Sequence, residues 1–142
     1  MKTSERLYHH ARKDLGMAEV EGKGSHPRIR LAIETAARWL DGDDSKTAWC
    51  GCLMGLWCLE LGLGVPTAYY RAVSWLDWGH EVDKAEAELG DVVVLKRPGG
   101  NHVALLDHVA GGRWHLLGGN QSNTTSIAPY AEDLVLGVRR AA

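Results

Sequence analysis

The sequence has no phenylalanine, no long apolar run and no large excess of either charge. Six tryptophans and four tyrosines supply the large apolar side chains, so the 142 residues can bury a core as one domain, residues 1–142. The sixteen basic residues nearly balance the eighteen acidic ones, and they form no basic run. This argues against nucleic acid or an anionic membrane as the main partner. No stretch approaches the roughly 18–20 apolar residues of a membrane span.

A secretory signal is also missing from the N-terminus. Its first residues are polar and charged, without the apolar centre that a signal peptide needs. We therefore expect synthesis in the cytoplasm. If the target lies outside, another route must deliver the protein.

Cysteine is scarce and confined to one place, with Cys50, Cys52 and Cys58 inside nine residues. Helical neighbours two positions apart point roughly 200° away from each other, so Cys50 and Cys52 are poorly placed for a disulfide or a shared metal. No second cysteine pair or nearby histidine completes a zinc set. We expect a reduced chain, no cofactor, and core positions for Cys52 and Cys58.

The hydrophobic period changes once, after Gly90. Before it, apolar residues recur at helical spacing; after it, strand-like runs alternate with glycine turns. The predicted helices cover residues 4–15, 28–40, 49–62 and 67–78, and the predicted strands cover 91–96, 102–110, 113–117 and 134–139. Helices followed by a small antiparallel sheet indicate an α+β fold, with residues 1–24 as an N-terminal helix and loop extension.

Cys50 stands where a polar, acidic stretch gives way to the third predicted helix. The first turn of a helix offers unpaired backbone N–H groups and the positive end of the dipole, and both favour a thiolate. This placement makes Cys50 the candidate nucleophile. A thiolate also needs a group that moves protons, which must come from elsewhere in the chain.

The best candidate for that base is His102, with His108 and His115 as competitors. If Gly111 and Gly112 form a two-residue hairpin loop, His102 lies opposite Gln121. A three-residue loop or one bulge places it beside Asn120 instead. Either register brings a carboxamide to the histidine, and the hairpin alone does not choose between Asn120 and Gln121.

Two further features have both a structural and a functional interpretation. The alternating positions of Asp41, Asp43 and Ser45 are how a calcium loop begins, but the glycine and closing glutamate of an EF-hand are missing. We favour solvated acids that cap the following helix, with calcium as the minor alternative. Trp75 fits core packing better than substrate stacking, although it would suit a groove wall.

The sequence resembles the CHAP and NlpC-type cysteine hydrolases of bacterial cell walls, and most closely a compact branch found in tailed phages and prophages. The matching segments run through most of the chain in order: Asp44 with Trp49-Cys50-Gly51, residues 72–79, residues 90–94, Asn101-His102-Val103-Ala104, residues 117–123 and residues 136–139. Each segment is weak alone. The ordered set is specific.

The resemblance implies a papain-like fold in which Cys50 is the nucleophile, His102 the base and Asn120 the polar third member. We assign Trp49, Gln121 and Trp75 to substrate binding. Many CHAP relatives carry a glutamate just before the asparagine, whereas this chain has glycines at 118 and 119. The implied reaction is cleavage of an amide bond in peptidoglycan, as an endopeptidase or an N-acetylmuramoyl-L-alanine amidase.

The implied setting is a phage or prophage endolysin, monomeric, that reaches the wall after release by a holin, a virion or a secretion system. One alternative keeps the chemistry in a secreted antibacterial effector. Another is a wall-binding module without activity, and a third is a cysteine protease or transglutaminase that acts on proteins.

Overall fold

A computed structural model describes residues 1–19, 26–36 and 49–142. Within them the chain forms three α-helices and one six-stranded antiparallel sheet, which confirms the predicted α+β class. The helices are α1 (Thr3–Arg12), α2 (Pro27–Ala36) and α3 (Cys50–Glu60), and the strands are β1 (His80–Val82), β2 (Val92–Arg97), β3 (Gly100–Ala110), β4 (Arg113–Gln121), β5 (Thr124–Ala131) and β6 (Val135–Arg140). No helix in the described ranges is long and apolar enough to cross a bilayer.

The sheet has the order β1-β6-β2-β3-β4-β5, so β3 lies at its centre between β2 and β4. Side chains alternate along each strand and build a separate apolar cluster on each face. One cluster packs Val103 and Leu105 of β3 against the helices. The other packs Ala104 and Leu106 of β3 against Trp114. Residues of β3 can therefore serve both faces.

Helix α3 is the centre of the helical layer, and every residue from Cys50 to Cys58 is buried. Glycines let the chain approach it closely: a Cβ at residue 51 would lie 2.6 Å from the carbonyl oxygen of Tyr69. A Cβ at Gly55 would overlap the Tyr69 ring. The segment after α3 therefore wraps back against the helix start and holds it in place.

The N-terminal segment is part of the same core. Leu7 and Ala11 of α1 are fully buried, and the Trp57 indole of α3 donates to Asp14 at 2.8 Å. Farther along, residue 18 bridges to Thr124 of β5. The predicted extension, as far as residue 19, thus contacts both α3 and the sheet.

The predicted fourth helix, residues 67–78, is wrong. The chain forms a turn and then a short 3₁₀ helix, Ala72–Asp77. Ala68 has φ +53° and Arg71 is extended, and both conformations interrupt an α-helix. The Trp75 indole donates back to the Tyr69 carbonyl at 2.9 Å, so tertiary contacts set the path of this segment instead of helical periodicity.

Two strands, β1 and β5, were not predicted. Strand β1 has only three residues, and β5 is an edge strand that contains Pro129 and few large apolar side chains. An edge position tolerates a proline because its N–H side needs no partner. The end of the predicted helix 28–40 and the acidic loop before Trp49 lie outside the described residues.

Candidate active site

Cys50 is the first residue of α3, as the sequence predicts. The first backbone N–H groups of a helix have no intrahelical acceptor, and the preceding residue, Trp49, provides no side-chain cap for them. The thiol interacts with the backbone N–H groups of Cys50, Gly51 and Val103. Val103 follows His102 in β3. The start of α3 therefore meets the sheet at the strand that carries the candidate base.

The Cys50 side chain is buried, with only 5% of the residue exposed. Burial raises the pKa of the thiol, and the Val103 amide and the positive charge of Arg97 only partly oppose it. The expectation that the helix start by itself favours the thiolate is wrong for this closed site. At neutral pH the resting group is a thiol, and it needs a base to become a nucleophile.

His102 is fully buried, and a hydrogen bond fixes one side of its ring. Its Nε2 lies 3.0 Å from Oε1 of Gln121. The amide nitrogen of Gln121 faces the carbonyl oxygens of Leu116 at 3.1 Å and Ser126 at 2.7 Å. Because these carbonyls only accept, the Gln121 oxygen must face the ring, and Nε2 must carry the proton.

That arrangement leaves Nδ1 of His102 with its lone pair. A second contact agrees, because a guanidinium nitrogen of Arg97 lies 3.2 Å from Nδ1 and can only donate. Burial lowers the pKa of His102 to about 4; the Gln121 bond opposes the shift, and the charge of Arg97 adds to it. His102 is therefore neutral at pH 7 and can accept a proton at Nδ1.

The structure brings the side chain of Gln121 to His102, and the prediction that Asn120 contacts the ring is wrong. The hairpin begins in the predicted register, with Ala110 opposite Arg113, and shifts by one residue between Leu106 and His108. That shift alone would favour Asn120. However, Asn120 has φ +58°, and a second irregularity separates Gly118 from Gln121, so the backbone turns and directs the next side chain to the ring.

Arg97 and Tyr130 complete the site, and neither was predicted. Arg97 donates to the Asn120 carbonyl at 2.9 Å and to the Tyr130 phenol, and the Tyr130 ring centre lies 5.7 Å from that of His102. A signal existed for Arg97, because Leu95 pairs with His102 and strand alternation puts residue 97 on the same face. None existed for Tyr130, since β5 itself was not predicted.

Trp49 and Trp75, both predicted to bind substrate, are fully buried, so neither ring lines an exposed groove. The Trp49 indole donates to Glu19 at 2.8 Å and packs over Gly119, where a Cβ would lie 2.6 Å from the ring. Trp75 is held by the Tyr69 carbonyl. Gln121, also assigned to the substrate, is 4% exposed and bonds His102 instead.

The competing histidines lie toward the hairpin end of β3 and β4. The rings of His108 and His115 stack with centroids 4.3 Å apart, and His108 pairs with Asp107. His108 is five residues beyond Val103, roughly 16 Å along an extended strand. Neither histidine is therefore placed to serve Cys50.

A metal site finds no support in the part of the chain that the structure describes. No group of three or more histidine, cysteine or acidic side chains there is arranged to hold an ion. The residues considered for calcium, Asp41, Asp43 and Ser45, lie outside the described ranges, and calcium binding at them stays a prediction.

No family model matches the sequence, and no curated protein matches it. Solved structures do. The P60 domain of an antigen from M. avium subspecies paratuberculosis superposes with a TM-score of 0.58 at 16% identity, over 96% of each chain. The peptidoglycan hydrolase RipB from Mycobacterium tuberculosis gives 0.58 at 16% identity, over 96% of this chain and 65% of RipB.

A third solved structure, a protein similar to an NLP/P60 lipoprotein from Staphylococcus aureus, gives a TM-score of 0.55 at 20% identity. The superposition covers 98% of this chain and 41% of the S. aureus protein. At such low identity these likenesses establish the fold. The predicted papain-like architecture of NlpC type is confirmed.

Proposed function

We propose that this protein is a peptidoglycan hydrolase that cleaves an amide bond of the wall peptide with Cys50 as nucleophile, His102 as base and Gln121 as the residue that orients the base. The observation that carries the proposal is the fixed tautomer of His102, with Nε2–H bonded to Gln121 and the lone pair on Nδ1, where a guanidinium nitrogen of Arg97 lies 3.2 Å away. Cys50 contacts the next residue of the same strand, Val103.

The first half of the reaction is acyl transfer to sulfur. His102 Nδ1 takes the proton of the Cys50 thiol, and the thiolate attacks the amide carbonyl carbon. The backbone N–H of Cys50 at the helix start stabilises the oxyanion. The carbon–nitrogen bond then breaks as the imidazolium gives its proton to the leaving amine.

The second half restores the enzyme. Water attacks the thioester carbonyl while His102 Nδ1 takes a proton from it, and the carbon–sulfur bond breaks. The products are a carboxylic acid and the Cys50 thiol. Throughout, Gln121 holds Nε2–H and so stabilises the imidazolium that forms in each half.

The choice of substrate is supported by the fold and by the ordered motifs. RipB, with which this chain shares its fold, is a peptidoglycan hydrolase. Within the proposal, the chain is a monomeric endolysin of a phage or prophage. It acts as an endopeptidase or as an N-acetylmuramoyl-L-alanine amidase.

The test is digestion of purified peptidoglycan by wild-type, Cys50→Ala and Cys52→Ala proteins, followed by mass spectrometry of the soluble fragments. We expect fragments from the wild type and from Cys52→Ala, and none from Cys50→Ala. Cys52 is a matched control, because burial raises its pKa to about 12 and keeps it a thiol. The fragment masses name the bond that is cut.

Two other outcomes would redirect the proposal. Wall binding without fragments, from walls of both Gram types and with calcium added, would favour a binding module. Equal digestion by the wild type and Cys50→Ala would contradict cysteine catalysis.

A further inference from the structure

Arg97 lies at the end of β2, next to the atom that the proposed reaction needs. One terminal nitrogen, Nη1, donates to the Asn120 carbonyl at 2.9 Å and to His102 Nδ1 at 3.2 Å. The guanidinium also donates to the Tyr130 hydroxyl. The side chain is half-buried at the sheet rim, so it borders both the histidine and the solvent.

All of these partners are uncharged. Among the described residues no carboxylate pairs with Arg97, whereas the half-buried Arg28 binds Asp14 at 2.8 Å and Glu60 at 2.7 Å. A guanidinium binds a carboxylate through two parallel charge-assisted hydrogen bonds, which are stronger than its bonds to neutral acceptors. Within residues 1–19, 26–36 and 49–142, Arg97 therefore has hydrogen-bonding capacity that no carboxylate uses and that an anionic ligand at the site could take up.

The contact with His102 also conflicts with catalysis. Nε2 is committed to Gln121, so only Nδ1 can take the thiol proton. Arg97 occupies that lone pair, and its charge opposes protonation of the ring. On the described elements, the charge of Arg97 on β2 acts on His102, on Cys50 of α3 and on Tyr130 of β5. The resting site is therefore blocked by Arg97.

We propose that Arg97 recognises a carboxylate of an acidic peptide substrate, and that binding this carboxylate draws the guanidinium away from His102 Nδ1 and frees the base. The inference rests on the proposed function and adds its substrate class: stem peptides with a free carboxylate near the scissile amide. A peptide with the same carboxyl groups amidated leaves the guanidinium on the histidine.

The first experiment compares soluble stem peptides with free and with amidated carboxylates as substrates. The wild type should prefer the free form about tenfold or more in kcat/KM, because the amidated form lacks the charged acceptor. Arg97→Met should bring the ratio close to one, and Arg97→Lys should keep part of it. Lys96→Met, which removes the neighbouring exposed charge, should keep the full preference. An equal preference in wild type and Arg97→Met would overturn the inference.

The second experiment reads the histidine directly and needs no turnover. In Cys50→Ala protein, the ¹⁵N signals of His102 report its pKa by NMR. The free-carboxylate peptide should raise that pKa toward the ordinary value, and the amidated peptide should leave it unchanged. Arg97→Met should raise it without any peptide. If neither peptide bound, or if both moved the pKa equally, carboxylate recognition would be contradicted.

The two failures are distinguishable. Digestion of walls by wild type without discrimination between the two peptides leaves the proposed function in place and removes the role of Arg97. No digestion of any wall removes the proposed function itself.

Discussion

The two halves of the site are held in different ways. The cysteine half, Cys50 with the start of α3, is positioned by packing. Gly51 and Gly55 leave room for the chain around Tyr69, and every helix residue from Cys50 to Cys58 is buried. The histidine half, His102 with Gln121 and Arg97, is positioned by directed hydrogen bonds. Packing sets where the nucleophile lies, and polar contacts set which nitrogen of the His102 ring carries the proton and which carries the lone pair.

Loss of the nucleophile should have the largest effect. Cys50→Ala should lower wall hydrolysis by about 10⁴-fold, because without a thiol no thioester forms. Cys52→Ala, a change of the same size two residues away in the same half, should keep most of the activity. The check is the rate of fragment release. Comparable losses in both variants would mean that packing in the cysteine half, and not the thiol, limits the reaction.

The histidine half should make stability depend on pH. The pKa of His102 is about 4 in the folded protein and ordinarily 6.5, so between these values the unfolded chain binds more protons. The free energy of unfolding should therefore fall as the pH drops from 6.5 to 4, by on the order of 3 kcal/mol. Urea unfolding across this range measures it.

His102→Asn should flatten that dependence, because it removes the group that takes up the proton. An equally steep dependence in His102→Asn would place the proton linkage elsewhere in the molecule.

The choice between the two carboxamides gives the next effect. Gln121→Leu should lower kcat on the order of 10²-fold with little change in KM, because the ring loses the bond that fixes its tautomer. Asn120→Gly keeps the left-handed backbone and the carbonyl that Arg97 binds, so its activity should change about twofold or less. Steady-state kinetics on folded variants shows which of the two residues orients His102. The reverse order would restore Asn120 as the orienting residue.

The sequence predicted the parts of the site that depend on local pattern. Helical periodicity and the polar-to-apolar boundary put Cys50 at a helix start, and the glycine turn put His102 in a hairpin with a carboxamide opposite. Those placements rest on period and turn chemistry, which neighbouring residues determine. The same reasoning failed for residues 67–78, where tertiary contacts of Tyr69 and Trp75 override helical spacing.

The rest of the site depends on backbone irregularities and tertiary packing, which no local sequence pattern predicts. The selection of Gln121 over Asn120 follows from one left-handed residue, Asn120, that lies within the second of two register shifts. Tyr130 lies on an edge strand that contains a proline. A segment with a proline is not predicted as a strand from its sequence. The high pKa of Cys50 follows from burial, which the tertiary fold imposes on a helix start that otherwise favours the thiolate.

The smallest predicted effect sharpens the description of the cysteine half. Gly51→Ala should lower the free energy of unfolding by about 1–3 kcal/mol, because the new Cβ meets the Tyr69 and Tyr70 carbonyls. Gly64→Ala is the matched control, with nothing within 4 Å of the added Cβ, and should be nearly neutral. Thermal unfolding compares them. Equal stability would mean that the helix start tolerates displacement.

The proposed mechanism requires a covalent intermediate at Cys50. The measurement is intact-protein mass spectrometry of a reaction quenched in acid during peptidoglycan digestion, followed by peptide mapping. The mechanism predicts that the wild type carries an acyl fragment of the wall peptide on the segment that contains Cys50. The same adduct should be absent from Cys50→Ala and present in Cys52→Ala. Turnover with no adduct at Cys50, or with an adduct on Cys52 or Cys58 instead, would contradict it.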